Sequence, residues 1–240
     1  MSLPVTEKLI LRQINHWNNL RDLLQEPAPS IPVKRKPVIT VSRMAGSGGR
    51  MLAEELCARL SLDLHDQSMV QKIVKDRQLQ DGLISELDEN TISQTRLWVK
   101  GVLSQNIFMK DQYHRDLVGI VSNLAARGGV VFLGRGANLI LGEQADLRIR
   151  VVATERYRIS RLRERLELSR AEARMLVEKT DAKRVDFVRS VFRQEPGQGE
   201  NYDLVLNSTR ISQESMIDLV MQTLLEMGVL AEKKVGQGTA

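Results

Sequence analysis

The stretch VITVSRMAGSGGRMLAEEL, residues 38 to 56, constrains the fold more than any other part of the chain. A β-branched apolar run (Val38, Ile39, Val41) stops at Ser42. Gly46, Ser47, Gly48 and Gly49 follow, and then apolar residues at helical spacing, Met51, Leu52, Leu56 and Leu60. A buried strand, a glycine turn and a helix start, in that order, make a cradle for an anion. The first N–H groups of a helix lack partners, and its dipole is positive there. Glycine supplies positive φ and lets the backbone approach a ligand closely. The stretch predicts an α/β protein that holds a phosphate.

The loop departs from the pattern G-x-x-x-x-G-K-[ST], in which a lysine reaches the outer phosphates and a hydroxyl holds magnesium. With Gly48 in the second glycine place, Gly49 stands where the lysine belongs and Arg50 where the hydroxyl belongs. With Arg50 in the lysine's place, Met51 takes the hydroxyl's place and Met44 that of the first glycine. Neither register restores the motif. Arginine also holds phosphate, often through two bonds, but it is not interchangeable with lysine.

Five strand candidates lie between helical stretches: 38–42, 60–66, 128–136, 146–153 and 202–212. Strands alternating with helices predict a parallel sheet with right-handed crossovers. Ligands of such sheets collect at the carboxyl ends of the strands, where Ser42, Asp66, Gly134-Arg135 and Asn207 stand. The loop helix is expected over 48–60. Residues 67–128 contain helical patches broken near Asp81-Gly82 and no strand, which predicts a helical insertion. Ser212 is placed to cap a last helix. Leu9, Ile10, Ile14, Trp17, Leu20, Leu23 and Leu24 predict an amphipathic N-terminal helix, followed by a linker with Pro27, Pro29, Pro32 and Pro37. The expected organisation is therefore 1–36 as helix and linker, 37–229 as the body, and 230–240 as a flexible tail.

A chain of 240 residues suits one such body with an appendage. The hydrophobic share is 42% but the aromatic share only 4%, so the core must be aliphatic. The net charge of +5 is mild, and no basic stripe interleaved with aromatics argues for nucleic acid. No apolar run reaches the length of a membrane span, and the N-terminus lacks a signal-peptide pattern. A single cysteine, Cys57, excludes an internal disulfide. Together these point to a soluble cytoplasmic protein. Self-association is expected, if at all, through the N-terminal helix or the helical insertion.

Arg135, between Gly134 and Gly136 past a buried run, is placed to grip a phosphate. Asp66 could hold a substrate hydroxyl or a magnesium-bound water, cap the next helix, or do both. His65 reads as a packing residue. The segment 154–195 is crowded with arginines. Arg158, Arg161 and Arg165 share a helix face, and Arg184 lies in a second basic row. Such a segment could close over phosphates as a lid, since phosphoryl transfer needs positioning and charge neutralisation.

In order along the chain, ITVSRMAGSGGR, the strand-ending HD, VVFLGRGANLIL, VVATERYRISRL, DAKRVDFVR and YDLVLNSTRIS resemble the cytidylate kinase-like family of P-loop nucleoside monophosphate kinases, over roughly residues 36 to 228. Where true cytidylate kinases carry Gly-Arg-Asp, this chain has Gly134-Arg135-Gly136. The resemblance implies a three-layer P-loop fold with a five-stranded parallel sheet. It also implies ATP with Mg2+ on Gly46, Ser47, Gly48, Gly49 and Arg50, with Arg50 in the lysine's role. Arg135 and Asp66 would hold a nucleoside monophosphate or related phosphorylated acceptor, and Arg158, Arg161 and Arg184 would neutralise the transferring group. No residue is assigned as a metal ligand. The defective loop leaves a second reading open, a regulatory module that binds nucleotide without turnover, and a third, a scaffold that binds none.

Overall fold

The computed structural model describes residues 36–230 apart from 86, 88 and 105–111, together with no side chain at 77–79, 85, 89, 90 and 101–104. The expected N-terminal helix and the tail after 230 lie outside the described residues.

Five strands form one sheet in the order β2-β3-β1-β4-β5: β1 (Val38–Arg43), β2 (Asp63–Asp66), β3 (Val130–Leu133), β4 (Leu147–Val152) and β5 (Leu204–Asn207). Every pairing is parallel, with Val38 beside Val130 and Ile39 beside Leu147. Strand side chains alternate between faces, and here both faces are apolar. Val38, Val130 and Phe132 point to one face, which is covered by α5 (Gln112–Arg127), α6 (Ala137–Leu141) and the end of α8 (Arg170–Phe192). Ile39, Val41, Val131, Leu133 and Ile149 point to the other, under α1 (Gly49–Leu60) and α9 (Gln213–Glu226). Two helix layers around a doubly buried sheet make the expected three-layer architecture.

The insertion is helical, as the periodicity predicts: α2 (Gln67–Lys75), α3 (Arg77–Ser85), α4 (Glu89–Ser104) and α5. The break lies elsewhere than expected. Helix α3 runs through Asp81-Gly82, a site at which a glycine costs only about 1 kcal/mol. The chain turns instead at Asp76, in extended conformation (φ −114°), where the Gln80 amide donates to the carbonyls of Ile73 (3.3 Å) and Val74 (2.8 Å). Helix α7 (Glu155–Leu166) and α8 share a small cluster of their own, Ile159, Leu162, Ala173 and Val177. The strands are also shorter than their apolar runs. Ser61 takes left-handed φ (52°) to end α1, so β2 begins only at Asp63. After β5 the Asn207 side chain accepts from Thr209 N (3.1 Å) and closes a turn, and Ser212 caps α9 as predicted (Ser215 N, 3.1 Å).

Candidate functional site

The strand-to-helix turn from Arg43 to Met51 is built as an open loop. Gly46 (φ 76°) and Gly48 (φ 85°) occupy the left-handed region, and helix α1 starts at Gly49. At Gly46 space also requires glycine, whereas at Gly48 the neighbour is the movable end of a side chain. A Cβ on Gly46 would stand 2.7 Å from the Arg158 carbonyl oxygen, and one on Gly48 2.7 Å from Arg161 Nη1. Ser47 is fully buried. Its hydroxyl donates to the carbonyls of Met44 (2.9 Å) and Val151 (3.1 Å), and its own carbonyl accepts from Ser208 Oγ (2.7 Å). Ser47 thus pins the loop to β4, and since its N–H donates to the Met44 carbonyl (3.3 Å) neither its hydroxyl nor its amide is free for a ligand. The N–H groups of Gly48, Gly49, Arg50 and Met51 donate to no protein group among the described residues, which is the free donor set an anion needs.

The first amide of the loop is occupied. Ala45 N donates to Asp181 Oδ1 of α8 (2.7 Å). The same carboxylate pairs with Arg158, which also donates to the Ala45 carbonyl (3.1 Å). Arg158 is only 6% exposed and lines neither cavity described below. It braces the loop from behind. Arg161 and Arg165, one turn along the same face of α7, do reach the loop side. Arg161 holds Tyr157 Oη (3.2 Å) and Gln213 Oε1 (3.3 Å) and carries no carboxylate partner among the described residues.

Arg50 is engaged. It donates to Asp66 Oδ2 (2.5 Å) and Glu54 Oε1 (3.3 Å), and the Asp66 hydrogen bond raises its pKa. Asp66 also caps α2, accepting from Ser68 N (3.0 Å), Ser68 Oγ (2.6 Å) and Met69 N (3.1 Å). Burial works against this carboxylate, yet the Ser68 hydroxyl and Arg50 outweigh it and hold its pKa down to about 2. A folded-state pKa below the ordinary 3.8 means stability that is full above about pH 5 and lost as pH falls from about 4 toward 2. Asp66→Asn keeps a capping side chain but cannot titrate. The difference in unfolding temperature between the two proteins should therefore be largest near pH 6 and shrink below pH 4; a difference independent of pH would refute the assignment.

Among the residues that sequence reasoning missed is Arg43, the last of β1. In the register that puts Gly49 in the lysine's place, a Cβ on residue 49 would fall 2.6 Å from Arg43 Cβ. A side chain cannot stand at both positions. The Arg43 stem, from the strand end, takes the space a side chain at the helix start would need, and the lone signal for this in the sequence is an arginine beside an apolar run. The Arg43 guanidinium extends to Gly134, at the end of β3. Burial, reinforced by Arg184, Arg50 and Arg135, pushes its pKa down to about 9. No hydrogen bond or ion pair engages its side chain among the described residues. Arg184 donates to the Arg43 carbonyl (3.0 Å) and is likewise lowered, chiefly by burial.

Two cavities meet here. The smaller, about 110 Å3, lies over the glycine loop between Gly46, Arg50, Arg161 and Arg165. The larger, about 410 Å3, extends from the ends of β1 and β3 under α8. Arg43, Met44 and Arg184 line both. Arg135 lines the larger one. It stands in left-handed conformation (φ 60°) between Gly134 and Gly136, with its Cζ 5.1 Å from the centre of the Phe187 ring and its buried Nε without a partner. Burial lowers its pKa. Arg150 and Lys183 also face this cavity and were not singled out from sequence. His65 is a neutral packing residue as expected, with its pKa pushed down to about 4 by burial beside Phe132. Asn207 lines neither cavity.

The fold, the loop and the paired cavities agree with a family match over residues 38–210, that of the cytidylate kinase-like family. The chain belongs to the cytidylate kinase-like family. Membership supports phosphoryl transfer as the class of chemistry and implies a nucleotide and, typically, Mg2+. Among solved structures, an uncharacterised protein from Eubacterium ventriosum superposes with TM-score 0.63 over 80% of this chain and 99% of that one at 15% identity, a likeness of fold alone. A gluconokinase from Sinorhizobium meliloti matches more loosely, with TM-score 0.46 over 81% of this chain and 94% of that one at 14% identity. A uronate isomerase from Corynebacterium glutamicum is 34% identical over 122 residues, half of this chain. That segment spans 23% of the isomerase.

The residues at the loop do not fit a protein-held magnesium ion. Arg50 stands where the hydroxyl ligand belongs. The nearby carboxylates are committed, Asp66 and Glu54 to Arg50, and Asp181 to Arg158 and Ala45 N. Among the described residues no group of three metal-ligating side chains is present, and no helix is long and apolar enough to cross a membrane.

Proposed function

We propose that the chain is an ATP-dependent kinase acting on a nucleoside monophosphate or a related small phosphorylated acceptor. One observation carries this reading: Arg43 and Arg184 belong to both cavities, so a donor phosphate over the loop and an acceptor phosphate under α8 would share one cationic seam. The free amides from Gly48 to Met51 hold the donor's inner phosphates. Arg43 takes the place of the absent lysine, Arg161 approaches from α7, and Arg135 holds the acceptor phosphate. Arg50 is not free to clamp the outer phosphate while Asp66 and Glu54 hold it, and its task is to orient the loop helix. Arg158 keeps the loop's shape. Helices α7 and α8 serve as the lid segment.

In the transfer an anionic oxygen of the acceptor phosphate attacks the γ-phosphorus. A new O–P bond forms, the bond from the γ-phosphorus to the bridging oxygen breaks, and ADP leaves with that electron pair. The attacking oxygen is already ionised, so no proton must move and no general base is required. Catalysis is positioning and neutralisation by fixed cations. A coupled assay over a panel of monophosphates should show acceptor-dependent ADP release at micromolar enzyme; its absence for every acceptor would overturn the reading. The commitment of the nearby carboxylates, with no metal-ligating cluster among the described residues, favours a second one, in which the chain binds nucleotide without turnover. That reading expects nucleotide affinity unchanged by a chelator and no ADP release.

A further inference from the structure

We propose that the large cavity takes a small, non-aromatic acceptor carrying at least two separate anionic groups, a phosphate at the Arg43–Arg135 end and a second phosphate or carboxylate at Arg150 and Lys183. The inference rests on the kinase reading for the role of the first phosphate, but not for the binding chemistry of the cavity.

Charge is the first argument. The cavity is lined by five cationic side chains, Arg43, Arg135, Arg150, Lys183 and Arg184, and by one carboxylate, Asp181. That carboxylate is already committed to Arg158 and to Ala45 N. Arg184 also lies 3.9 Å from Asp181, and a monophosphate, with a charge of about −2, engages the Arg43–Arg135 end, which leaves Arg150 and Lys183 without an acidic partner among the described residues. A second anion restores balance, and charge-assisted bonds to arginine are the strong ones.

The second argument is what the cavity lacks for a base. Two aromatic rings line it, and each already carries a guanidinium: Arg135 Cζ lies 5.1 Å from the centre of Phe187, and Arg150 Cζ lies 5.4 Å from the centre of Tyr202. A nucleobase would have to displace a cation from a favourable position over the ring. No free carboxylate remains to receive an exocyclic amino group. The Tyr202 hydroxyl donates to the Pro196 carbonyl (2.9 Å) and lies against Arg150 (3.1 Å) and Ser42 (3.3 Å). These contacts hold the Arg150 guanidinium in place on β4, where it faces the cavity with no acidic partner among the described residues. The lining offers cations at two places, and both of its aromatic rings are taken by a guanidinium.

The test uses the full chain saturated with the non-hydrolysable ATP analogue adenylyl imidodiphosphate, with calorimetry of CMP, ribose 5-phosphate, 3-phosphoglycerate and fructose 1,6-bisphosphate. The two-anion probes should bind at least 10-fold more tightly than ribose 5-phosphate, and CMP no more tightly than ribose 5-phosphate. The 3-phosphoglycerate and bisphosphate arms tell a carboxylate from a phosphate at the second place. Arg150→Gln and, on an exposed position of α8, Lys183→Gln should each cut the two-anion preference several-fold while leaving ribose 5-phosphate within about two-fold. If Arg150→Gln fails to fold, Lys183→Gln alone decides. CMP binding 10-fold above ribose 5-phosphate, no two-anion preference, or a preference that both variants retain would overturn the proposal. The kinase reading fails separately. Tight two-anion binding with no ATP-dependent ADP release would refute turnover and leave this site standing, whereas ADP release stimulated best by CMP would do the reverse.

Discussion

Asp181→Ala will lower the unfolding temperature by about 10 °C. Asp181 joins three things that would otherwise be separate: helix α8, the buried Arg158 of α7, and the Ala45 amide at the start of the glycine loop. Removing it leaves a guanidinium only 6% exposed with a single carbonyl acceptor. Breaking a buried pair from one side is far more damaging than replacing both partners, because a lone charge stays behind. Asp181 is partly exposed, so a loss of about 3 kcal/mol, at the low end of the range for buried pairs, is appropriate. In a chain of this size that corresponds to roughly 10 °C. The double variant Arg158→Met with Asp181→Leu should lose clearly less than Asp181→Ala alone, and calorimetry can measure both. An unfolding temperature unmoved by Asp181→Ala would show that the loop does not depend on this brace.

Arg43→Met will do the opposite: stability rises while ligand affinity collapses. Arg43 is a half-buried cation among Arg184, Arg50 and Arg135, only partly offset by Asp66, and burial first and these neighbours second bring its folded-state pKa, about 9, below its ordinary 12.5. A base depressed in this way destabilises the fold over the whole range below about pH 9, so the penalty is fully present at neutral pH. Methionine keeps most of the stem's volume and removes the charge. A gain of about 1 kcal/mol, or roughly 3 °C, is expected from relieving a half-buried charge that has no hydrogen-bonded partner. The affinity for adenylyl imidodiphosphate should fall about 100-fold, the scale of one or two lost charge-assisted bonds. Arg43→Lys should recover part of the affinity. A destabilised Arg43→Met protein that binds the analogue normally would remove Arg43 from the site and, with it, the seam that joins the two cavities. The exchange of stability for function is common where a site stores unfavourable charge.

The architecture was legible because it rests on local periodicity. β-branched runs marked four of the five strands, alternating leucines marked β2, and helical spacing marked the insertion and the last helix. At two of the boundaries that moved a side-chain bond was responsible, Gln80 capping α2 and Asn207 closing the turn after β5, and at β2 it was the left-handed backbone of Ser61. The site was legible only in outline. The glycine loop, Arg135 and the arginine face of α7 are recognisable from spacing. Their division of labour is not: Arg158 faces inward to Asp181 while Arg161, less than one turn away, faces the loop.

Arg43 shows the limit most clearly. Read along the chain, it is one arginine among many, and the motif's missing lysine draws attention to Arg50, seven residues on. Which of the two is free depends on Asp66 and Glu54, which engage Arg50, and on Gly49 and Gly134, which leave room for Arg43. Asp66 lies on a different strand, and Gly134 is ninety-one positions away. Hydrophobic pattern acts between neighbours in sequence and so set the strands, the helices and the class of fold. The balance of charge acts through space, and the site's free cations were settled only when parallel strands brought these distant groups together.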